Sequence, residues 1–555
     1  MQISQVKDAL TKFVASRSTN RLIFLCSLVL FALGIPFSRF LMSMGGAILV
    51  INWFLECFLE KNLVQRIKHI LQSKAALSCL LIYFVHLLWF IPTQNISYGL
   101  SDIWIKVPLF FMPIIFFTSE PLSRKEYQGL LQWYVLGVFI SSFSGFWVYL
   151  TGNLADKREM ALFISYVRFE INICFACFVC LYLIFKEETT RFQKIVIATV
   201  LCWFLFFLVF SGTMTAIVLF FAAGIIISIK TAMDNRTTFF RYVVPSLFVG
   251  VGLCVGIVLF CSVKQYFKTD FSIETAAKYT PDGNPYFHNP QKAYIENGSY
   301  IFTYISDTEL ETAWNKRSEI NFNDCDKKGF PLRITLIRYL NSKGLHKDRL
   351  GVEALSSKDI HNVEQGIANV SYTHKLHIIN RMYSLLWELN AYYHTGSIVG
   401  YSMPQRIELW KNSVSLIKKY PFFGVGTGDV KDAFNQELRL NHSPIAETNM
   451  RSHNQYFTFS IAFGIIGLLL ILFAIIYPSV VLKKCKNSLF LVFFCILLFS
   501  MLTEDTLEPQ DGVTFFAFFY SLFLFLFPRE YGKNLFQMFC SIGNKDFCKQ
   551  QRINL

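Results

Sequence analysis

The hydrophobic pattern of this chain is a series of long apolar runs separated by short polar breaks. Nine runs, at about 22–36, 40–59, 76–92, 104–118, 129–151, 161–185, 195–211, 214–229 and 242–263, precede a long polar stretch. Three more, at about 455–478, 488–503 and 513–528, close the pattern. A run of about 20 apolar residues has the length of a helix that crosses a bilayer. The pattern predicts an all-α polytopic membrane protein of about twelve transmembrane helices, with a mainly helical extramembrane domain between helices 9 and 10. Four regions follow: helices 1–9 over 1–263, the loop domain over 264–453, helices 10–12 over 454–528, and a tail over 529–555. The basic N-terminus and first run have the outline of a signal peptide. Only the weak small-residue pattern Ala32-Leu33-Gly34 follows, and a second run begins after Pro36-Phe37-Ser38-Arg39. An uncleaved first helix is expected.

Charge sets the orientation. With the N-terminus inside, segments 1–21, 60–75, 119–128, 186–194, 230–241, 483–487 and 529–555 hold 24 Lys and Arg. The short outer loops hold only Arg39, Lys157 and Arg158, with Lys106 just inside a span end. The positive-inside rule puts both termini in the cytoplasm and the 264–453 segment outside. That segment is far longer than a connection needs. It carries helical patterns around 360–366 and 376–393, and turns at Pro281-Asp282-Gly283 and Asn289-Pro290. The run 332–340 fits a strand or a short helix.

Composition agrees with the membrane reading. The chain is 53% hydrophobic and 17% aromatic, with a mean hydropathy of +0.41. Its charged fraction is 16%, against about 25% in soluble domains. The net charge of +14 does not point to nucleic acid, because the cations cluster in short loops between spans. Cys174, Cys177 and Cys180 form CxxCxxC inside an apolar run without polar support, and read as small apolar filler. The long polar stretch holds only Cys325, so no disulfide framework is expected. Gly424-x-Gly426-x-Gly428 lacks both the GxGxxG spacing and a preceding strand, and reads as a turn. There is no Walker sequence. His374 and His377 share a helix face, but no acidic or Cys partner completes a metal site. No metal and no cofactor are expected.

The stretch 402–470 concentrates the polar chemistry. It starts basic, passes a Pro-x-x-Gly-x-Gly turn at 421–426, and reaches Arg451 and His453 just before an apolar run. Arg406 precedes an amphipathic helix at 407–419, and Arg381 has Glu388 two turns later. Arg168 lies some seven residues inside a predicted span, beside Glu170 and Asn172. An ionisable residue there faces a cavity or a partner, or snorkels to the interface. Residues two apart on a helix do not share a face, which counts against an Arg168–Glu170 pair. His453 is followed by Asn454 and Gln455, and fits either a catalytic residue or a helix-start residue bonded to backbone.

In their order, several of these motifs resemble the O-antigen ligase family, integral-membrane proteins that include O-antigen ligases and related polymerases. The resemblance rests on Gln405-Arg406 and Trp410, Tyr420-Pro421-Phe422-Phe423-Gly424-Val425-Gly426, Ser452-His453-Asn454-Gln455-Tyr456, and Phe463-Gly464-Ile465-Ile466-Gly467. A large outer loop before the last three of twelve spans also fits. The sequence RMYSLLWE at 381–388 and the long loop look like the variant found in Bacteroides-like bacteria. One departure stands out. Many members carry Ser-Arg where this chain reads Ser211-Gly212-Thr213-Met214-Thr215.

The resemblance implies a metal- and ATP-independent glycosyltransferase of the bacterial inner membrane, with its active site facing the periplasm. Its donor would be a glycan on undecaprenyl diphosphate, and its acceptor a lipid A-core sugar or another glycan. By motif position His453 corresponds to the family's histidine near the acceptor hydroxyl, and Arg406 to an outer-loop arginine. Arg168, Arg381 and Arg451 are further candidates for the donor diphosphate, and Asn454 and Gln455 for positioning the acceptor. The chemistry agrees independently. Arginine keeps its charge and offers a fixed fork of donors to a diphosphate leaving group. A neutral imidazole accepts a proton from an incoming hydroxyl, or only orients it. A polymerase, a protein O-glycosyltransferase and a lipid-linked glycan transporter are the competing readings. The orientation is checked by labelling single introduced cysteines from outside: one at Lys343 is expected to react and one at Lys484 is not. The reverse result overturns the periplasmic assignment.

Overall fold

The computed structural model describes residues 17–527, apart from 153–156, 187, 235–243, 270, 271, 273, 291–293, 374–376, 397, 399, 400 and 449. The expected tail 529–555, most of the basic N-terminal segment, and His374 lie outside the described residues. The described fold is helical. Its one named sheet pairs Ile295–Glu296 with Ser299–Tyr300.

Among the described residues, eight helices are long and apolar enough to cross a membrane: Ser18–Phe37, Arg39–Leu59, Ile96–Thr118, Arg124–Leu150, Tyr166–Ile184, Arg191–Ser211, Met214–Met233 and Gln455–Val481. A bent pair, Leu63–Gln72 and Lys74–Leu88, makes nine if it counts as one span. Val244–Phe267 is also helical, and two shorter apolar helices, Ser488–Ser500 and Gln510–Leu526, follow near the C-terminus. Polar residues at the breaks set the boundaries. Capping boxes at Ser123/Glu126 and Thr190/Gln193 start two of the spans. Gly212, at φ 69°, ends the span Arg191–Ser211 in the left-handed conformation that favours glycine. The span Ile96–Thr118 is interrupted before Pro108, which has no backbone N–H to continue the ladder.

The chain divides into two compact units, Met1–Phe248 with Leu409–Leu555, and Val249–Glu408. In the first, Tyr166–Ile184 is a central, almost wholly buried helix. Its Phe175 packs among Phe493, Phe515, Phe519 and Phe523 at 4.9–6.4 Å between ring centres. Cys174, Cys177 and Cys180 are buried in the same core, as apolar filler would be. In the second unit, the run 332–340 is part of a helix, Leu332–Ser342. Leu332, Leu336, Tyr339 and Leu340 recur at helical spacing, and all are buried around Trp314. Arg338 projects from this helix onto the face of Trp387 at 3.6 Å and forks onto Glu296 at 2.9 Å through both Nε and Nη2. The two expected helical patterns are the helices Ser357–Glu364 and His377–Thr395.

One interlock in the first unit accounts for the glycine-rich motif. The helix Gln455–Val481 is broken at Gly464, whose φ of 64° and ψ of −169° are open essentially to glycine alone. The 421–426 turn takes up the backbone groups that the break exposes. Ile465 N–H donates to the Pro421 carbonyl, Val425 N–H to Ile461, and Gly426 N–H to Ala462, each at 2.9 Å. The Trp89 indole donates to the Phe423 carbonyl at 2.5 Å, and the Thr427 hydroxyl to the His86 carbonyl at 2.7 Å. A broken helix at membrane depth is tolerated where protein satisfies its backbone in this way. A Cβ on Gly464 would lie 2.2 Å from the Phe422 carbonyl, and one on Gly424 2.5 Å from that of Ala462. Gly464→Ala is therefore expected to cost at least about 1–3 kcal/mol, read as a lower thermal unfolding midpoint in detergent. Gly129→Ala, inside a helix with open space at the Cβ, is expected to be neutral or stabilising by up to about 1 kcal/mol. Equal midpoints for the two variants would contradict the interlock.

Candidate functional site

The segment 503–511, Thr-Glu-Asp-Thr-Leu-Glu-Pro-Gln-Asp, joins the last two described apolar helices. Its four acidic residues, Glu504, Asp505, Glu508 and Asp511, are all buried. A buried carboxylate is costly unless it is paired and hydrogen-bonded, and each of these has partners. Glu504 Oε2 lies 3.4 Å from Arg168 Nη1 and 3.8 Å from His453 Nδ1. Glu508 Oε2 lies 3.3 Å from Lys106 Nζ and 3.5 Å from Arg451 Nη1. Asp511 takes the Nε and Nη2 donors of Arg39 at 2.6 and 3.0 Å. Asp505 accepts the His453 backbone N–H at 3.0 Å and the Thr458 hydroxyl at 2.6 Å, while its backbone carbonyl accepts Arg168 Nη2 at 2.7 Å.

Five of the residues expected from sequence thus meet in one place: Arg168, Arg451, His453, Asn454 and Gln455. Arg168 pairs with Glu504 and the Asp505 carbonyl. Its Nε is buried with no hydrogen-bond partner, a donor left over within the site. Arg451 reaches the Tyr98 hydroxyl at 2.8 Å as well as Glu508. His453 has a φ of 50°, a left-handed conformation that non-glycine residues adopt uncommonly and histidine more readily than most. That conformation is held by the Asp505 bond to its N–H. The imidazole is 38% exposed, against 13% for the Arg168 side chain. Nδ1 lies on the Glu504 side, which makes Nε2 the ring nitrogen available to a ligand.

Asn454 and Gln455 build this frame. The Asn454 side-chain Oδ1 caps the next helix by accepting Tyr456 and Phe457 N–H, and its Nδ2 donates to the Leu502 carbonyl at 3.0 Å. Gln455 is fully buried. It donates to Glu508 Oε1 at 2.8 Å and accepts Leu507 N–H at 2.7 Å. Both amides therefore clamp the acidic segment against the start of the helix that follows His453. Burial works to raise the Glu508 carboxyl, but Lys106 and Arg451 outweigh it and hold that carboxyl well below the usual range. For Asp505, burial wins and the carboxyl is raised. A cavity of about 20 Å³ opens among His86, Tyr98, Asp102, Arg451, Thr458 and Glu508, enough for about one water.

Arg381 and Arg406 belong to the second unit. Arg381 pairs with Glu388 at 3.1 Å and donates to the Ser402 hydroxyl. Glu388 also accepts Met403 N–H at 3.1 Å, so the pair ties His377–Thr395 to the start of Ser402–Lys419. Arg406 is half-buried on the second turn of Ser402–Lys419. Among the described residues, no group of three His, Cys, Asp or Glu is arranged to hold a metal ion.

Fold and site together define a multi-pass helical membrane protein with a cationic cluster buttressed by buried carboxylates. Residues 371–472 match the family model described as O-Antigen ligase. The match bears out the resemblance drawn from the motifs. It contains Arg381, Arg406, the 421–426 turn, Arg451, His453 and Gly464, and it stops short of Arg168 and the acidic segment. No curated protein matches the chain.

The acidic segment, Lys106 and Asp102 are the parts of the site that the motif reading missed. Four acids in eight positions between two apolar runs are the signal that points to this segment, and the Lys and Arg of the loops do not carry it. Lys106 is buried and shared between Asp102 at 2.5 Å and Glu508. Glu508→Ala takes a carboxylate from both Lys106 and Arg451. Breaking a buried pair in this way costs about 3–5 kcal/mol, so a clear drop in the thermal midpoint is expected. A wild-type midpoint would show that Glu508 does not anchor the cluster.

Proposed function

We propose that this protein is a glycosyltransferase that moves a glycan from undecaprenyl diphosphate to a lipid A-core sugar at the periplasmic face of the inner membrane, without metal or ATP. Twelve spans with both termini in the cytoplasm are part of this reading. The observation that carries it is a juxtaposition. His453, inside the segment that matches the ligase family, shares Glu504 with Arg168, a half-buried membrane arginine with a spare donor.

In this reading the diphosphate of the donor meets Arg168 and Arg451. Guanidinium groups neutralise the charge that develops on the leaving diphosphate as the glycosidic bond breaks. His453 takes the proton of the acceptor hydroxyl through Nε2 while that oxygen bonds to the anomeric carbon. The Glu504 carboxylate on the Nδ1 side stabilises the imidazolium that results. Asn454 and Gln455 act as positioning residues, because they hold the backbone on either side of His453 and Glu508. For Arg406 and Arg381 the support is the family resemblance and the chemistry of the guanidinium.

The test is transfer in a purified system with a lipid-linked glycan donor. General-base assistance is worth about 10²–10⁴-fold, so His453→Ala is expected to lose activity in that range while donor binding persists. His453→Gln keeps a hydrogen bond but not the base, and is expected to fall as far. Near-normal turnover of the Gln variant would make His453 an orienting residue, and near-normal turnover of both would remove it from the site. In a deletion strain, full-length lipid-linked polymer is expected to accumulate. Accumulated single repeat units would instead indicate a polymerase, and unglycosylated proteins beside normal lipopolysaccharide a protein glycosyltransferase.

A further inference from the structure

The helix Leu63–Gln72 has no part in the proposed reaction, and its geometry is unlike that of its neighbours. It follows the span Arg39–Leu59 and is bent by 92° from the helix Lys74–Leu88. The break falls at Ser73, whose hydroxyl accepts Ala76 N–H and so caps the second helix of the pair. A helix at right angles to the one that enters the bilayer runs along the membrane plane.

Its ten residues, LVQRIKHILQ, divide cleanly around the helix axis. At 3.6 residues per turn, Leu63, Val64, Ile67 and Leu71 fall within one arc, and Gln65, Lys68, His69 and Gln72 lie opposite. Ile70, at one edge of the apolar arc, is buried against Ala76, Leu80 and the rings of Phe110 and Phe117. The His69 ring meets Phe117 at 4.6 Å. One side of the helix is thus pinned to the bundle. The rest of the apolar arc is open: Leu63, Val64, Ile67 and Leu71 are 38, 66, 44 and 63% exposed.

The charges on and beside it are four cations, Lys61, Arg66, Lys68 and Lys74, and three acids, Glu56, Glu60 and Glu120. Arg66 is engaged by Glu56 at 3.1 Å and Glu60 at 3.3 Å. Lys61, Lys68 and Lys74 are exposed and make no ion pair among the described residues. An exposed apolar arc beside unpaired lysines, held level with a span end, is complementary to a bilayer surface with acidic headgroups. The span Arg39–Leu59 also gives the side. Arg39 at its start pairs with Asp511 in the carboxylate cluster, and Leu59 at its end leads into this helix. The helix therefore lies at the end of the bundle remote from His453.

We propose that Leu63–Gln72 is an interfacial helix. It lies in the headgroup layer of the membrane face opposite the His453 end, with Val64, Ile67 and Leu71 inserted among acyl chains. Lys61, Lys68 and Lys74 hold acidic phospholipid headgroups. The proposal stands apart from the transfer reaction and survives if that reading fails.

The full-length protein in nanodiscs tests it, with a fluorescent noncanonical amino acid at Val64, Lys68 or Leu71 to avoid the fourteen native cysteines. Brominated lipid is expected to quench the probes at 64 and 71 at least about threefold more than the probe at 68, with aqueous iodide showing the reverse order. Brominated phosphatidylglycerol should quench the probe at 71 at least about twofold more than brominated phosphatidylcholine at equal mole fraction. That ratio should fall to about one in the K61Q/K68Q/K74Q variant. Equal iodide access at 64 and 68 would overturn the interfacial placement. So would shielding of position 64 from both quenchers, which would mean that protein covers the arc. Equal quenching by the two lipids in the wild type would overturn the headgroup assignment.

Discussion

Buried carboxylates need cations, and the 503–511 segment of this protein carries four of them. The pairing they demand organises one end of the first unit. Arg39, Lys106, Arg168 and Arg451 come from four separate parts of the chain, and each is fixed by an acid of this one segment. The cations are costly at membrane depth without a partner, as the acids are. Neither set is stable there alone. The conformation of His453 depends on the same segment, since Asp505 holds its N–H and Glu504 faces its ring.

A second constraint fixes where the helix after His453 begins and how it runs. Gly464 breaks that helix, and the 421–426 turn fills the break with backbone hydrogen bonds. The turn is in turn held by Trp89 and by Thr427 on His86. Asp429 extends the same attachment by accepting the backbone N–H groups of Gln94 and Asn95. Two motifs that are far apart in sequence are therefore two halves of one joint, and their glycines are needed because two backbones approach each other there.

Much of this was legible before the structure. Apolar runs gave the helices, because burial in lipid or in a packed bundle demands the same long hydrophobic stretch. Arg451, His453, Asn454 and Gln455 were visible because polar residues crowd against the start of such a run. What the runs hid was their breaks. The polar front of the 76–92 run turns away as Leu63–Gln72, and the 104–118 run extends back to Ile96 across a proline break. A hydropathy window averages over such features. The partner of Arg168 was also hidden. A reading confined to one helix could weigh only Glu170, whereas the acid that meets Arg168 lies 336 positions further on. The reason for Gly464 was likewise out of reach, because it lies in the Phe422 carbonyl and not in any neighbour in sequence.

The pairing also bears on how a site already full of ion pairs would take the diphosphate of the proposed donor. A guanidinium carries five donors in a fixed fork. Arg168 uses Nη1 on Glu504 and Nη2 on the Asp505 carbonyl, which leaves Nε buried and unused. Arg451 uses Nη2 on Tyr98 and Nη1 on Glu508 at the longer distance of 3.5 Å. Neither arginine has spent its capacity, and neither is free to swing away. A diphosphate that draws on the unused donors meets cations already held in place, so little is lost in ordering them. The carboxylates impose the opposite requirement, since a bare anion beside Glu504 and Asp505 is repelled unless the arginines lie between. A ligand whose negative charge lies on the guanidinium side, with a neutral hydroxyl on the imidazole side, satisfies both. That division of charge is the one a glycosyl diphosphate and a sugar acceptor bring together.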